Sequence, residues 1–120
     1  MTEDEVLSFV ATSLRSVWAL EVAMLLRRER AKAWTMDDIV RETRSSQTAS
    51  ADALTALKAA GFITEEGGSY RYWPATPTLE TLAAEIEALY AKKPATVIKA
   101  ILAAPHDKLR IFSDAFKLKD

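Results

Sequence analysis

Apolar residues recur at helical spacing along most of this chain, with one aromatic-rich interruption near its middle. From about Asp4 to Arg30, Val6, Phe9, Val10, Ser13 and Val17 follow the three-to-four rhythm of a helix. Between Val17 and Leu26 only Glu21 is charged, and a helix apolar all round is central in a core or buried between subunits. Arg27, Arg28, Arg30 and Lys32 suit the C-terminal turns through the helix dipole. The pattern allows one helix here, or two broken near Ser13 to Ser16. After Ala33-Trp34-Thr35, Thr35 caps a short helix from Met36 to about Thr43. Asp37 and Asp38 lie in its first turn, and Ile39 and Val40 point inward.

The polar run Arg44-Ser45-Ser46-Gln47-Thr48 reads as a turn and a new cap. The helix that follows runs to Ala60 with Ala53, Leu54 and Leu57 inward, and Gly61 closes it in the left-handed conformation. Phe62-Ile63-Thr64 is a strand, Glu65-Glu66-Gly67-Gly68-Ser69 a hairpin turn, and Tyr70-Arg71-Tyr72-Trp73 the returning strand. Pro74 and Pro77 end it. Thr78 caps a helix with Leu79, Leu82, Ala83, Ile86, Leu89 and Tyr90 on one stripe, stopped by Lys92-Lys93-Pro94. Residues 95–104 carry Val97, Ile98, Ile101 and Leu102 on one side. Pro105 breaks the chain again, and Asp107 caps a last turn or two with Leu109, Phe112 and Phe116.

Composition narrows the classes. At 120 residues the chain suits a single domain, residues 1–120, and at 49% hydrophobic with 28% charged it is globular. Few glycines and prolines argue against an all-β fold. With Cys 0 there is no disulfide, thiol nucleophile or cysteine zinc site, and His 1 excludes multi-histidine metal sites. No cofactor is implied. A formal charge of −1 supplies no global field toward nucleic acid or membrane. The acidic start, Met1-Thr-Glu-Asp-Glu, is unlike a signal peptide, and the longest apolar run, Val22 to Leu26, is far short of a bilayer span. A cytoplasmic protein with no membrane partner is expected.

The order helix, short strand, helix, turn, helix, hairpin, read on Thr35 to Ile63 with its Leu57, Gly61, Phe62 and Ile63 ending, resembles the bacterial winged-helix transcription regulators of the MarR-like and ArsR-like kind. The resemblance covers residues 17–73, leaving 78–120 as a C-terminal helical extension. It implies a mainly α fold: a winged helix-turn-helix with a two-stranded β-hairpin wing, residues 62–73, and extra C-terminal helices. It also implies that helix 48–60 enters the major groove of double-stranded DNA while the wing touches the backbone or minor groove. Carried over by position, Arg44, Ser46, Gln47, Thr48, Ser50 and Thr55 are nucleic-acid contacts, with Ala51 and Lys58 on the same helix and Arg71 on the wing. Two such helices need a two-fold homodimer, for which 17–26 and the helices after Pro77 are candidates.

The charges depart from that pattern. Residues 34–73 hold Arg41, Arg44, Lys58 and Arg71 against Asp37, Asp38, Glu42, Asp52, Glu65 and Glu66, a net charge of −2. Phosphate neutralisation supplies most non-specific DNA affinity, so a protein-binding winged-helix module without DNA binding is the rival reading. A basic patch from Arg15, Arg27, Arg28, Lys92 and Lys93 is a further possibility. Ser45, Ser46 and Thr48 serve either as DNA contacts or as local caps. Arg71 is either a minor-groove finger or the solvent face of a strand. Phe62, Tyr70, Tyr72 and Trp73 either stack bases or cover the sheet, while Trp18 and Trp34 read as core anchors. Glu21 reads as an interface-edge residue or the partner of an arginine, and His106 as a loop histidine. No paired carboxylates, nucleophile elbow or phosphate cradle is present, so the reading is not an enzyme.

Overall fold

The computed structural model describes residues 1–103. The last helical turns expected around Asp107, Leu109, Phe112 and Phe116, and His106, lie outside these residues. The order is α1 (Glu3–Phe9), a π-helical turn (Val10–Leu14), α2 (Val17–Arg28), β1 (Trp34–Thr35), α3 (Met36–Thr43), α4 (Gln47–Ala60), β2 (Ile63–Glu66), β3 (Ser69–Tyr72), α5 (Pro77–Lys92) and α6 (Pro94–Ala103). The protein is mainly helical, with one small antiparallel sheet.

The N-terminal region resolves into two helices. Thr2 opens α1 with a capping box: its hydroxyl accepts from the Glu5 amide, and Glu5 reaches back to the Thr2 amide. Val6, Val10 and Leu14 are buried at four-residue intervals through the π-turn. Arg15 then adopts φ 71° and Ser16 caps α2 by accepting from the Ala19 amide at 3.0 Å. The two helical arms meet at 104°. Among the described residues no single helix is long and apolar enough to cross a membrane.

Helix α2 is the centre of the core. Ala19, Leu20 and every residue from Val22 to Leu26 are buried within this one chain, so most of the 17–26 stretch is occupied internally, while Trp18 stays exposed. Its principal partner is α4, whose Ala53, Leu54 and Leu57 are also buried. Full burial of a leucine is worth about 1.5–3 kcal/mol, so this pair of helices is the main apolar contribution to the fold. Trp34 is buried as expected, with the Lys32 ammonium 3.9 Å from its ring centroid. Trp18 is not a core anchor: it is 40% exposed, on the side of α2 left uncovered near the bend.

The sheet differs from the expected two-stranded hairpin. It has three strands in the order β1-β3-β2, with Trp34 opposite Tyr70 and Thr35 opposite Ser69 extending the hairpin. The two residues of β1 belong to the connection into α3, so the sheet ties the hairpin to the helices. Gly61 ends α4 at φ 86°, and a Cβ there would lie 3.1 Å from Leu79 Cδ1. Helix α5 is capped by Thr76, not Thr78: the Thr76 hydroxyl accepts from the Leu79 amide at 3.1 Å and Pro77 takes the first helical position. On α6, Val97 and Ile101 are buried and Ile98 is half-buried, but Leu102 is 65% exposed and outside the core.

Candidate functional site

Helices α3 and α4 present the residues singled out in the sequence. Thr35 starts α3 with a second capping box. Its hydroxyl accepts from the Asp38 amide at 3.1 Å, and Asp38 accepts from the Thr35 amide at 3.2 Å. Arg41 also donates to Asp38 at 2.7 Å. That guanidinium, with the Thr35 amide and hydroxyl, holds the Asp38 carboxyl down to about 2. Ile39 is buried and Val40 only half-buried. Arg44 follows α3 at φ 56°, a left-handed position that glycine takes without strain.

The turn into α4 is held by hydroxyls. Thr43 Oγ1 donates to the Ile39 carbonyl at 2.7 Å and lies 2.9 Å from Ser45 Oγ. Ser45 Oγ lies 2.6 Å from Ser50 Oγ. Ser50 is fully buried, so this hydroxyl pair packs the turn between α3 and α4 against the inner side of α4. Ser50 is therefore removed from the set of candidate contacts: it faces the protein and fixes α4 from behind. Ser46 is the N-cap, accepting from the Ala49 amide at 3.0 Å.

On the outer side of α4, Gln47, Thr48, Asp52 and Thr55 are exposed. Thr48, Asp52 and Thr55 share one stripe, four and then three residues apart. Thr55 Oγ1 donates to the Ala51 carbonyl at 3.0 Å, which leaves its oxygen free to accept. Lys58, the basic residue of this helix, donates to Glu65 on β2 at 2.7 Å. The pairing raises the lysine pKa and lowers that of Glu65. Arg71 is exposed on β3 opposite Thr64. Neither Arg44 nor Arg71 makes an ion pair with the described residues. Arg44, Ser46, Gln47 and Thr48 thus lie at the α3–α4 turn and the start of α4, with Thr55 two turns further along that helix and Arg71 on the sheet.

Lys93 and Arg27 are committed elsewhere. Lys93 pairs with Glu3 at 3.0 Å. Arg27 is about nine-tenths buried, bonded to Glu80, and donates to the Tyr72 hydroxyl at 3.1 Å; its Nε faces Glu87 at 3.5 Å. Burial opposes the charged form of Arg27, but the bonds to Glu80 and Tyr72 outweigh it and its pKa rises. Tyr72 donates to Glu80 at 2.8 Å. Burial, reinforced by that bond, pushes the Tyr72 phenol up to about 12. Glu21 has a tyrosine partner, not an arginine: it accepts from Tyr90, whose phenol is pushed up to about 12 by that bond and by burial.

The aromatic residues divide. Phe62 and Tyr72 are buried and Tyr70 half-buried, on the inner side, where Phe62 meets Phe9 edge-on at 5.8 Å. Trp73 is 62% exposed. The network of Arg27, Tyr72 and Glu80 gave no local signal, because its members lie 45 and 8 residues apart in the chain. Compared with known proteins, the chain matches no family model, no curated protein and no solved structure.

Proposed function

We infer that this protein binds double-stranded DNA as a winged helix and acts in transcriptional control. Helix α4 lies in the major groove and the β2–β3 hairpin serves as the wing. The observation that carries this reading is the solvent face of α4. Gln47, Thr48 and Thr55 offer polar groups there, on a helix fixed from behind by Ser50, with exposed guanidiniums at Arg44 just before it and at Arg71 on the hairpin. Rigid presentation of base-reading groups between phosphate-binding cations is what groove recognition requires. The element order and the sheet order β1-β3-β2 agree with it. A homodimer would pair through surfaces outside α3 and α4, where Trp18 and Leu102 are exposed apolar groups.

The electrostatic contribution is small, and this gives the reading its test. The two guanidiniums of this site, Arg44 and Arg71, imply a salt slope of roughly −2 in log K against log salt. Arg71→Ala is expected to weaken binding to all duplex sequences about equally and to lower the slope by about one. A wild-type slope near zero contradicts the reading. The protein-binding alternative is favoured by a specific contact: the Lys58–Glu65 pair neutralises the cation on α4, leaving Asp52 as the free charge on its outer stripe.

A further inference from the structure

Trp73 stands at the base of the hairpin, where its amide donates to the Phe62 carbonyl at 2.9 Å, and its ring is largely in water. It forms part of the wall of two open grooves. One, of about 520 Å³, lies toward Arg30, Tyr72 and Pro74. The other, of about 610 Å³, lies toward Arg71, Thr64 and Ala33 and is also lined by Glu65 and Glu66. At 62% exposure Trp73 is the most exposed aromatic ring among the described residues, and a guanidinium lines the groove on each side of it. Arg30 is 54% exposed, with its guanidinium 5.2 Å from the Tyr72 ring centroid. Arg71 is exposed on the same outward sheet face as Trp73, two residues along the strand.

The nearby carboxylates are largely occupied. Glu80 is bonded by Arg27 and Tyr72 and only weakly by Arg30, at 3.4 Å, and Glu65 is bonded by Lys58. Glu66, opposite Ser69 at the hairpin tip, is the carboxylate in this groove without an ion pair, and it lies beyond Arg71 from Trp73. The track Arg30, Trp73, Arg71 therefore offers cation, flat ring, cation.

We propose that Trp73 is a stacking platform for an unpaired base, with Arg30 and Arg71 holding the phosphates on either side, so that the sheet base binds single-stranded nucleic acid. Stacking needs a free base face, which a closed duplex does not offer, and flanking cations suit a polyanionic strand better than a neutral peptide. The proposal does not rest on α4, and an oligothymidylate forms no duplex, so its outcome is independent of the duplex reading.

The test uses the full chain and fluorescein-labelled decathymidylate, followed by anisotropy at low salt. The expected result is binding that Trp73→Ala weakens by roughly ten-fold and that Trp73→Phe partly restores. An abasic decamer of the same charge is expected to bind more weakly and to ignore the Trp73 substitutions. Arg30→Gln and Arg71→Gln are each expected to lower the salt slope by about 0.7. Absence of binding at several hundred micromolar overturns the proposal, as does equal affinity for the abasic strand. Tighter binding of a labelled oligoglutamate than of decathymidylate assigns the track to an acidic protein segment and also overturns it.

Discussion

Lys58 on α4 donates its ammonium to Glu65 on the hairpin at 2.7 Å, so the helix and the hairpin neutralise one another. The contact fastens the two elements together, and it withdraws a cation from the surface that would face DNA. Glu65→Gln releases Lys58. Duplex binding is expected to tighten and its salt slope to steepen by about one, with little change in thermal stability because both side chains are well exposed. Salt titration of the variant against wild type checks this. An unchanged slope would mean that Lys58 lies outside the contact surface.

Arg44 separates fold from function because its backbone and its charge pull in opposite directions. At φ 56° a non-glycine residue is strained by about 1 kcal/mol. Arg44→Gly relieves that strain, partly offset by the greater freedom of the unfolded chain, so a net stabilisation of about 0.5 kcal/mol is expected in urea unfolding. The same change removes a cation and is expected to weaken duplex binding several-fold. A variant that is both more stable and an equally good binder would remove Arg44 from the site.

Local signals in the sequence were enough for most of the element order. Thr35 before Asp38, Gly61 after Lys58 and the Gly67-Gly68 turn act within a few residues, and each is found where its chemistry requires. What failed depended on long-range packing. Trp18 and Leu102 have the composition of core residues but lie on helix faces that nothing in the described chain covers. Ser50 looked like a polar surface residue because its partner is another hydroxyl, Ser45, and a buried Ser–Ser pair has no signature in spacing. Two residues of β1 were too few to announce a third strand pairing with β3. The exposure of Trp73 was equally illegible, since alternation along a strand does not say which face a core will cover.

Alkaline pH tests the two carboxylate-bonded phenols, Tyr72 and Tyr90. Tyr72 and Tyr90 are both held near 12 in the fold, against 10 for an ordinary tyrosine. A folded pKa above the unfolded value gives stability that is complete below about pH 10 and is lost as pH rises toward 12. Urea midpoints are expected to fall across that window, and less steeply in Tyr72→Phe and Tyr90→Phe. Identical pH profiles for wild type and both variants would contradict the assigned hydrogen bonds to Glu80 and Glu21.

Whether α4 faces DNA is decided most directly at Asp52, an exposed carboxylate on the stripe it shares with Thr48 and Thr55. A solvent-facing carboxylate near phosphate repels it, so replacing it with a cation must tighten binding if the stripe is the contact surface. The measurement is fluorescence anisotropy of a mixed-sequence duplex at low salt, with wild type and Asp52→Lys compared side by side. The account predicts micromolar binding by wild type and roughly ten-fold tighter binding by Asp52→Lys. No binding by either protein at tens of micromolar contradicts the DNA-binding function, and equal affinities for the two contradict the placement of α4 in the groove.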